Sequence, residues 1–266
     1  MKIQKQQIAG MNLCYKFYSF DYFLDAMERA GYESIEILPN APHFYLPDLS
    51  SDELAAIRRK IADHHLKVIC YTPDQCSYPV NISDHSEAAR RRSLQDLARQ
   101  IEICSYLGSG QMLLTSGYGY FDEPKEAAWA RMIDSLGQLS RKAQEEGIVL
   151  VLEPIRTDET NLVTDLPSLK RAIREVGSPH LKGMLDTSPM YYAGESIAQY
   201  AKELGDDLWH IHLIDGRPAG HLAWGDGIFP LDQYIREIED AGYSRYMTME
   251  LTSAEYYNDP NPAMEK

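Results

Sequence analysis

Eight short apolar runs, each separated from the next by a helical pattern, constrain this chain more than any single residue in it. The first spans Ile8 to Asn12 and leads into an amphipathic stretch from Phe20 to Ala30 that stops at Gly31, after which "SIEIL" (Ser34 to Leu38) reads as a second strand. Strand, helix, glycine, strand is the mark of a βα unit. In "SSDELAAIRRKIADHHL", Ser50 and Glu53 form a capping box, and Leu54, Ile57 and Ile61 share one helical face. The rhythm continues through "KVICYTP", a helix from Ser86 to Leu107, "QMLLTSG", a helix from Pro124 to Glu146 and "IVLVLEP". The second half repeats it with a helix from Leu166 to Val176, "LKGMLDT", a helix from Ser196 to Leu204, "WHIHLID", a helix from Leu231 to Ala241 and "YMTMEL".

Strands that are nearly continuous apolar runs are buried on both faces, and strands alternating with helices predict a parallel sheet. Two architectures meet that description. A doubly wound open sheet is one, but eight units without a Gly-rich GxGxxG first turn favour closure into a (β/α)8 TIM barrel. The length of 266 residues and 44% hydrophobic content suit one such domain over residues 1–266. Only 16 residues follow Glu250, and "SAEYYNDPNPAMEK" is a Pro-interrupted start, so the eighth helix is expected to be short or missing. Its absence predicts an apolar stripe over the first and last strands, covered by a neighbouring subunit, and hence a homo-oligomer.

With 26 basic and 40 acidic residues, the formal charge of −14 repels phosphate backbones and anionic lipid, which argues against a nucleic-acid or membrane partner. No uncharged run approaches the roughly 20 apolar residues needed to span a bilayer, and no leader pattern opens the chain, so a cytoplasmic protein is expected. Cys14, Cys70, Cys76 and Cys104 lack the CxxC spacing of a zinc ribbon and read as reduced thiols.

In a parallel barrel the C-terminal ends of all strands open on one face, so polar residues placed there converge however far apart they lie in sequence. Strands five to eight end in Glu153 ("LVLEP"), Asp186 ("GMLDT"), His212 ("HIHLID") and Glu250 ("MTMEL"). Each alone reads equally well as a salt-bridged core group, since buried carboxylates must be neutralised by a partner or a cation. Four on consecutive strands point to a site for one divalent ion. Two Glu, one Asp and one His form an oxygen-rich set suited to Mn²⁺, Co²⁺ or Mg²⁺, with Zn²⁺ also compatible. In strand seven, His210 and His212 point to the same face because side chains alternate. His212, nearer the mouth, is read as the ligand and His210 as a deeper hydrogen-bonded core residue; Asp215 either orients an imidazole or caps the following loop.

These residues, with "CYTPDQCSYPVN" after strand three, "APHFYLPDL" after strand two and "GHLAWGDGIFPL" after strand seven, resemble the xylose-isomerase-like sugar isomerase and epimerase superfamily, and within it the fructoselysine 3-epimerases. The resemblance implies a metal-dependent isomerase that inverts C3 of a ketose or fructosamine through an enediolate. In such enzymes the ion binds the C2 carbonyl and C3 hydroxyl oxygens, and two glutamates on opposite faces, here Glu153 and Glu250, exchange the C3 proton. It further implies a substrate-bonding carboxylate at Glu159, a substrate contact near Arg217, which stands one residue out of register, and a substrate contact at His221, where the related apurinic endonucleases place an additional metal ligand; His43, Tyr71, Tyr78 and Asn81 lie on loops expected at the same mouth and read equally as substrate contacts or as ordinary polar loop residues. Ser188 and Pro189 stand where free-ketohexose 3-epimerases carry a substrate-binding histidine, a departure compatible with a conjugated sugar. "TSGYGYFDEP" places Tyr118 and Tyr120 in a glycine-containing loop that is read either as a lid or as a plain connection.

Three rivals share the barrel. Other ketose 3-epimerases, sugar isomerases and inosose dehydratases use the same enediolate logic on the same ligand set. A DNA-repair endonuclease would need extra histidines at the strand ends "EILP", "CYTP" and "LLTS", which lack them, and the charge opposes DNA. The third is a catalytically silent barrel.

Overall fold

The helices begin and end where side-chain chemistry satisfies their free backbone groups. Ser19, Ser50, Ser86, Asp165 and Ser196 each accept a backbone N–H of a first turn, while Gly31, Gly147 and Gly177 close helices in the left-handed conformation. The computed structural model describes residues 2–75, 79–217 and 220–266. Between the caps run β1 (Ile8–Met11), α1 (Phe20–Ala30), β2 (Ser34–Ile37), α2 (Ser51–Asp63), β3 (Lys67–Tyr71), α3 (Glu87–Tyr106), β4 (Gln111–Leu114), α4 (Lys125–Glu146) and β5 (Val149–Leu152). There follow α5 (Leu166–Val176), β6 (Leu181–Asp186), α6 (Thr187–Ala193), α7 (Ile197–Leu204), β7 (Leu208–His212), β8 (Asp215–Arg217), β9 (Gly220–Leu222), α8 (Leu231–Asp240), β10 (Met247–Met249) and α9 (Asn261–Met264).

Eight parallel strands close in the order β1-β10-β7-β6-β5-β4-β3-β2, and β2 pairs back onto β1. This is the (β/α)8 TIM barrel. Ala9, Ile69, Cys70, Leu113, Val151 and Met184 pack together inside it, while a larger apolar layer joins the outer strand faces to the helices. Among the described residues no helix is long and apolar enough to cross a membrane.

Two elements go beyond the sequence reading. Asp186 ends β6 and at once caps α6, and β8 and β9 form an antiparallel hairpin over the mouth where a plain loop was expected. The final helix is short, as expected, but the predicted bare stripe is not there. The tail itself covers the edge, with Ala263 and Met264 buried, Tyr32 Oη donating to the Met264 carbonyl at 2.8 Å and Tyr15 Oη donating to Asn261 Oδ1 at 3.0 Å. A Cβ on Gly10 of β1 would lie 3.0 Å from Met264 Cε and 2.2 Å from Met27 Sδ, so the tail, helix and strand meet closely at this glycine, and a larger residue there would displace both methionines. Deleting residues 260–266 should therefore cost about 2–4 kcal/mol and lower the thermal midpoint by on the order of 5–10 °C. An unchanged melting curve would show that the tail only rests on the barrel.

Candidate functional site

Register brings the polar strand ends to one level. Asp186 pairs with His212 across β6 and β7, Thr248 flanks His212 on β10, and Glu153 extends β5 by bonding its N–H to the Leu114 carbonyl at 2.9 Å. Glu153, Asp186, His212 and Glu250 each offer a ligand atom within 4.8 Å of all the others. His212 Nδ1 stands at the centre, 3.3 Å from Glu153 Oε1, 3.4 Å from Glu250 Oε2 and 3.6 Å from Asp186 Oδ2.

The protonation pattern says what belongs among these groups. His212 Nε2 lies 3.1 Å from Glu36 Oε1, and a carboxylate can only accept, so the proton sits on Nε2. The other ring nitrogen, Nδ1, is the one turned toward three carboxylates. Neither His212 Nδ1 nor Asp186 Oδ2 makes a hydrogen bond. Burial would lower the His212 pKa, yet the charges of Glu36 and Glu250 outweigh it and hold that pKa well above the ordinary imidazole value. The cluster thus calls for positive charge at its centre, and three oxygen donors with one nitrogen fit a divalent cation.

The two glutamates differ. Burial, reinforced by the charges of Glu250 and Asp186 against the pull of His212, raises Glu153 to about 7. Burial acts on Glu250 as well, but His212 and His221 override it and hold that carboxyl well below the usual range. Asp186 is placed by its own helix: Oδ1 accepts the Ser188 N–H at 2.5 Å, leaving Oδ2 for the cluster.

Among the described residues, His221 is the one expected substrate contact that the fold carries into this group, because the β8–β9 hairpin brings its Nδ1 to 3.0 Å from Glu250 Oε2. Arg217 and Glu159 lie farther out. Arg217 pairs with Glu255 at 3.2 Å, and Glu159 accepts the Arg156 N–H at 3.1 Å beside a cavity of about 490 Å³ lined by Tyr118, Tyr120 and Phe121. Asn81 clasps the backbone of Tyr118, donating from Nδ2 to its carbonyl at 3.0 Å and accepting its N–H at 3.1 Å. His43 is locked between Asn12 Nδ2 at 2.7 Å and the Tyr18 carbonyl at 3.1 Å. These two shape loops. Tyr71 departs most from expectation: it is fully buried in the strand–helix layer, where Oη donates to Gln100 Oε1 of α3 at 2.5 Å. Tyr78 and Cys76 lie outside the described residues. Asp215 caps its loop, accepting the N–H groups of Gly216, Gly225, Gly227 and Phe229 at 2.7–3.0 Å.

Glu36 was not among the expected residues. In the middle of β2, it accepts from His212 at Oε1 and from His210 Nε2 at Oε2, at 2.8 Å, while Thr72 Oγ1 donates to Oε1 at 2.5 Å. A carboxylate between Ile35 and Ile37 in a four-residue buried strand was the available signal. Glu36, Cys70 and His210 also come within 4.8 Å of one another, but the Glu36–His210 contact is a formed hydrogen bond and burial keeps the Cys70 thiol protonated, so this deeper group lacks a free donor set for an ion even though His210 Nδ1 has no hydrogen bond.

The xylose isomerase-like TIM barrel family model matches residues 24–266. Fructoselysine 3-epimerase of Shigella flexneri is 33% identical over 90% of this chain and 86% of its own. D-Psicose 3-epimerase of Enterocloster bolteae is 24% identical over 94% and 85%. Among solved structures, D-psicose 3-epimerase determined with D-fructose superimposes with a TM-score of 0.78 at 20% identity, covering 92% of this chain and 84% of that one. The IOLI protein with a bound zinc atom reaches 0.77 at 20% identity, covering 97% and 94%. On the family match, the closed barrel and relatives that are epimerases and isomerases along most of their length, the chain belongs to the xylose isomerase-like TIM barrel family and is a carbohydrate isomerase or epimerase.

Proposed function

We propose that this protein is a divalent-metal-dependent 3-epimerase of fructosamines, with a fructoselysine-like substrate. The observation that carries this reading is the convergence of Glu153 and Glu250, from strands on either side of β6 and β7, on the two flanks of His212 Nδ1. Glu153, Asp186, His212 and Glu250 would hold the ion, with Mn²⁺, Co²⁺ or Mg²⁺ preferred by the oxygen-rich set and Zn²⁺ compatible. Bound there, the ion supplies Lewis acidity beside the ketose carbonyl. The chain's own part is proton transfer. One glutamate takes the proton from C3 on one face and the other returns one on the opposite face, which inverts the centre. Glu153 and Glu250 reach His212 Nδ1 from different strands, at 3.3 and 3.4 Å, which suits one to take the proton and the other to return it. His221 beside Glu250 is placed to bond a substrate hydroxyl, and the tyrosine-lined cavity beyond Glu159 offers room and aromatic faces for the amino-acid part of a conjugated sugar.

The test is incubation with fructoselysine in heavy water with Mn²⁺ or Co²⁺, read by NMR. Deuterium at C3 together with the second epimer is expected. Exchange in free fructose or tagatose but not in fructoselysine would overturn the substrate; exchange in none of them would overturn the 3-epimerase reading.

A further inference from the structure

We infer that Glu36 is a positioning residue that holds His212 as the Nε2–H tautomer and thereby makes Nδ1 a metal-ligating atom; this rests on the metal-centre reading above. Glu36 is fully buried on β2, across the barrel from β7, and three hydrogens reach its two oxygens: Thr72 Oγ1–H and His212 Nε2–H at Oε1, and His210 Nε2–H at Oε2. Each of these donors is fixed by the barrel, because Thr72 follows β3 and both histidines stand in β7 with their side chains inward. An ionised carboxylate offers no hydrogen in return, so neither imidazole can present a lone pair to it. For His212 that leaves Nδ1, aimed at Glu153, Asp186 and Glu250, as the nitrogen that gives its lone pair to a cation.

The alternative tautomer would put a hydrogen on Nδ1 and a lone pair against Glu36, closing the nitrogen to any cation. A ligating histidine whose second nitrogen donates to a carboxylate is also a stronger base, and loss of such a partner typically weakens metal binding roughly 10- to 100-fold. His210 completes the arrangement from below. Its ring lies 5.2 Å from that of His212 at 84°, and it occupies the second oxygen of Glu36, so the carboxylate cannot swing away from His212 without breaking a buried hydrogen bond. Metal affinity is thus governed from a strand that contributes no ligand.

Two measurements test this. In ¹⁵N-histidine-labelled unmodified protein loaded with Zn²⁺, two-bond ¹H–¹⁵N correlation should show one buried histidine metallated at Nδ1 and protonated at Nε2. Metallation at Nε2 would overturn the assignment while leaving the metal centre standing. No bound metal in the unmodified protein would overturn the metal-centre reading and this inference with it. Glu36→Gln keeps the shape and removes the charge. Its Co²⁺ affinity, followed by visible absorption, should fall roughly 10- to 100-fold with an altered spectrum, while the EDTA-treated variant keeps the circular dichroism of the unmodified apoprotein. A folded Glu36→Gln protein with unchanged Co²⁺ affinity and spectrum would overturn the proposal, and if that variant does not fold, the tautomer measurement on the unmodified chain decides alone.

Discussion

Glu153→Gln and Glu250→Gln should each lower epimerisation roughly 10²- to 10⁴-fold, the range expected for loss of one general acid or base. Inversion needs a proton removed on one face and delivered on the other, and an amide can do neither. The two variants should nevertheless differ in heavy water. In each, the surviving carboxylate can still exchange the C3 proton of the epimer that presents it on that carboxylate's face, so Glu153→Gln should wash deuterium into one epimer and Glu250→Gln into the other, with no conversion between them. Metal content has to be measured beside the rate, because both glutamates are also proposed ligands and a lost ion would mimic a lost base. A metal-replete Glu250→Gln enzyme that epimerised at the unmodified rate would make Glu250 a ligand only, and the two-base mechanism would be wrong.

The architecture was legible because both of its signals are local. Continuous apolar runs such as "VLVL" are long enough to mark buried strands, and Ser50 with Glu53 or Gly31 at its left-handed φ of 74° mark helix ends that the structure reproduces. The cluster was legible because a barrel converts position at a strand end into proximity, so Glu153, Asp186, His212 and Glu250 could be gathered without knowing any distance. Side-chain direction was less accessible. At Tyr71 the pairing of β2 with β3 slips by one residue between Ile35 and Glu36, Ile69 and Cys70 both end inside the barrel, and simple alternation no longer tells that Tyr71 faces α3. The β8–β9 hairpin was missed because "DGRPAGHL" has neither length nor apolar alternation; it is fixed by Asp215 and by Gly227, where any Cβ would fall 2.2 Å from Asp215 Oδ1. Glu36 carries no strand-end signal, because it lies within β2, one layer below the mouth.

His212→Ala and Asp186→Asn should both leave the purified protein with almost no bound divalent ion, yet shift the stability of the metal-free protein in opposite directions. His212 provides the only nitrogen of the four-residue cluster and the hydrogen that Glu36 Oε1 shares with Thr72. Its removal strips the positive charge at the centre of Glu153, Asp186 and Glu250, leaving only His221 at the rim beside Glu250, and leaves Glu36 short of a donor. Breaking a buried ion pair in this way costs about 3–5 kcal/mol. Asp186→Asn does the reverse. The amide oxygen can still accept the Ser188 N–H that starts α6, so the helix keeps its cap, while one negative charge disappears from a site where Oδ2 had no hydrogen bond and three carboxylates faced each other. The metal-free Asp186→Asn protein should therefore melt at or above the unmodified metal-free midpoint, and His212→Ala well below it, with both measured after EDTA treatment and metal per chain quantified alongside. Addition of Mn²⁺ or Co²⁺ should raise the midpoint of the unmodified protein and of neither variant. Stoichiometric metal retained by either variant would break the four-ligand assignment, and a metal-free Asp186→Asn protein destabilised as strongly as His212→Ala would mean that Asp186 serves the fold more than the ion.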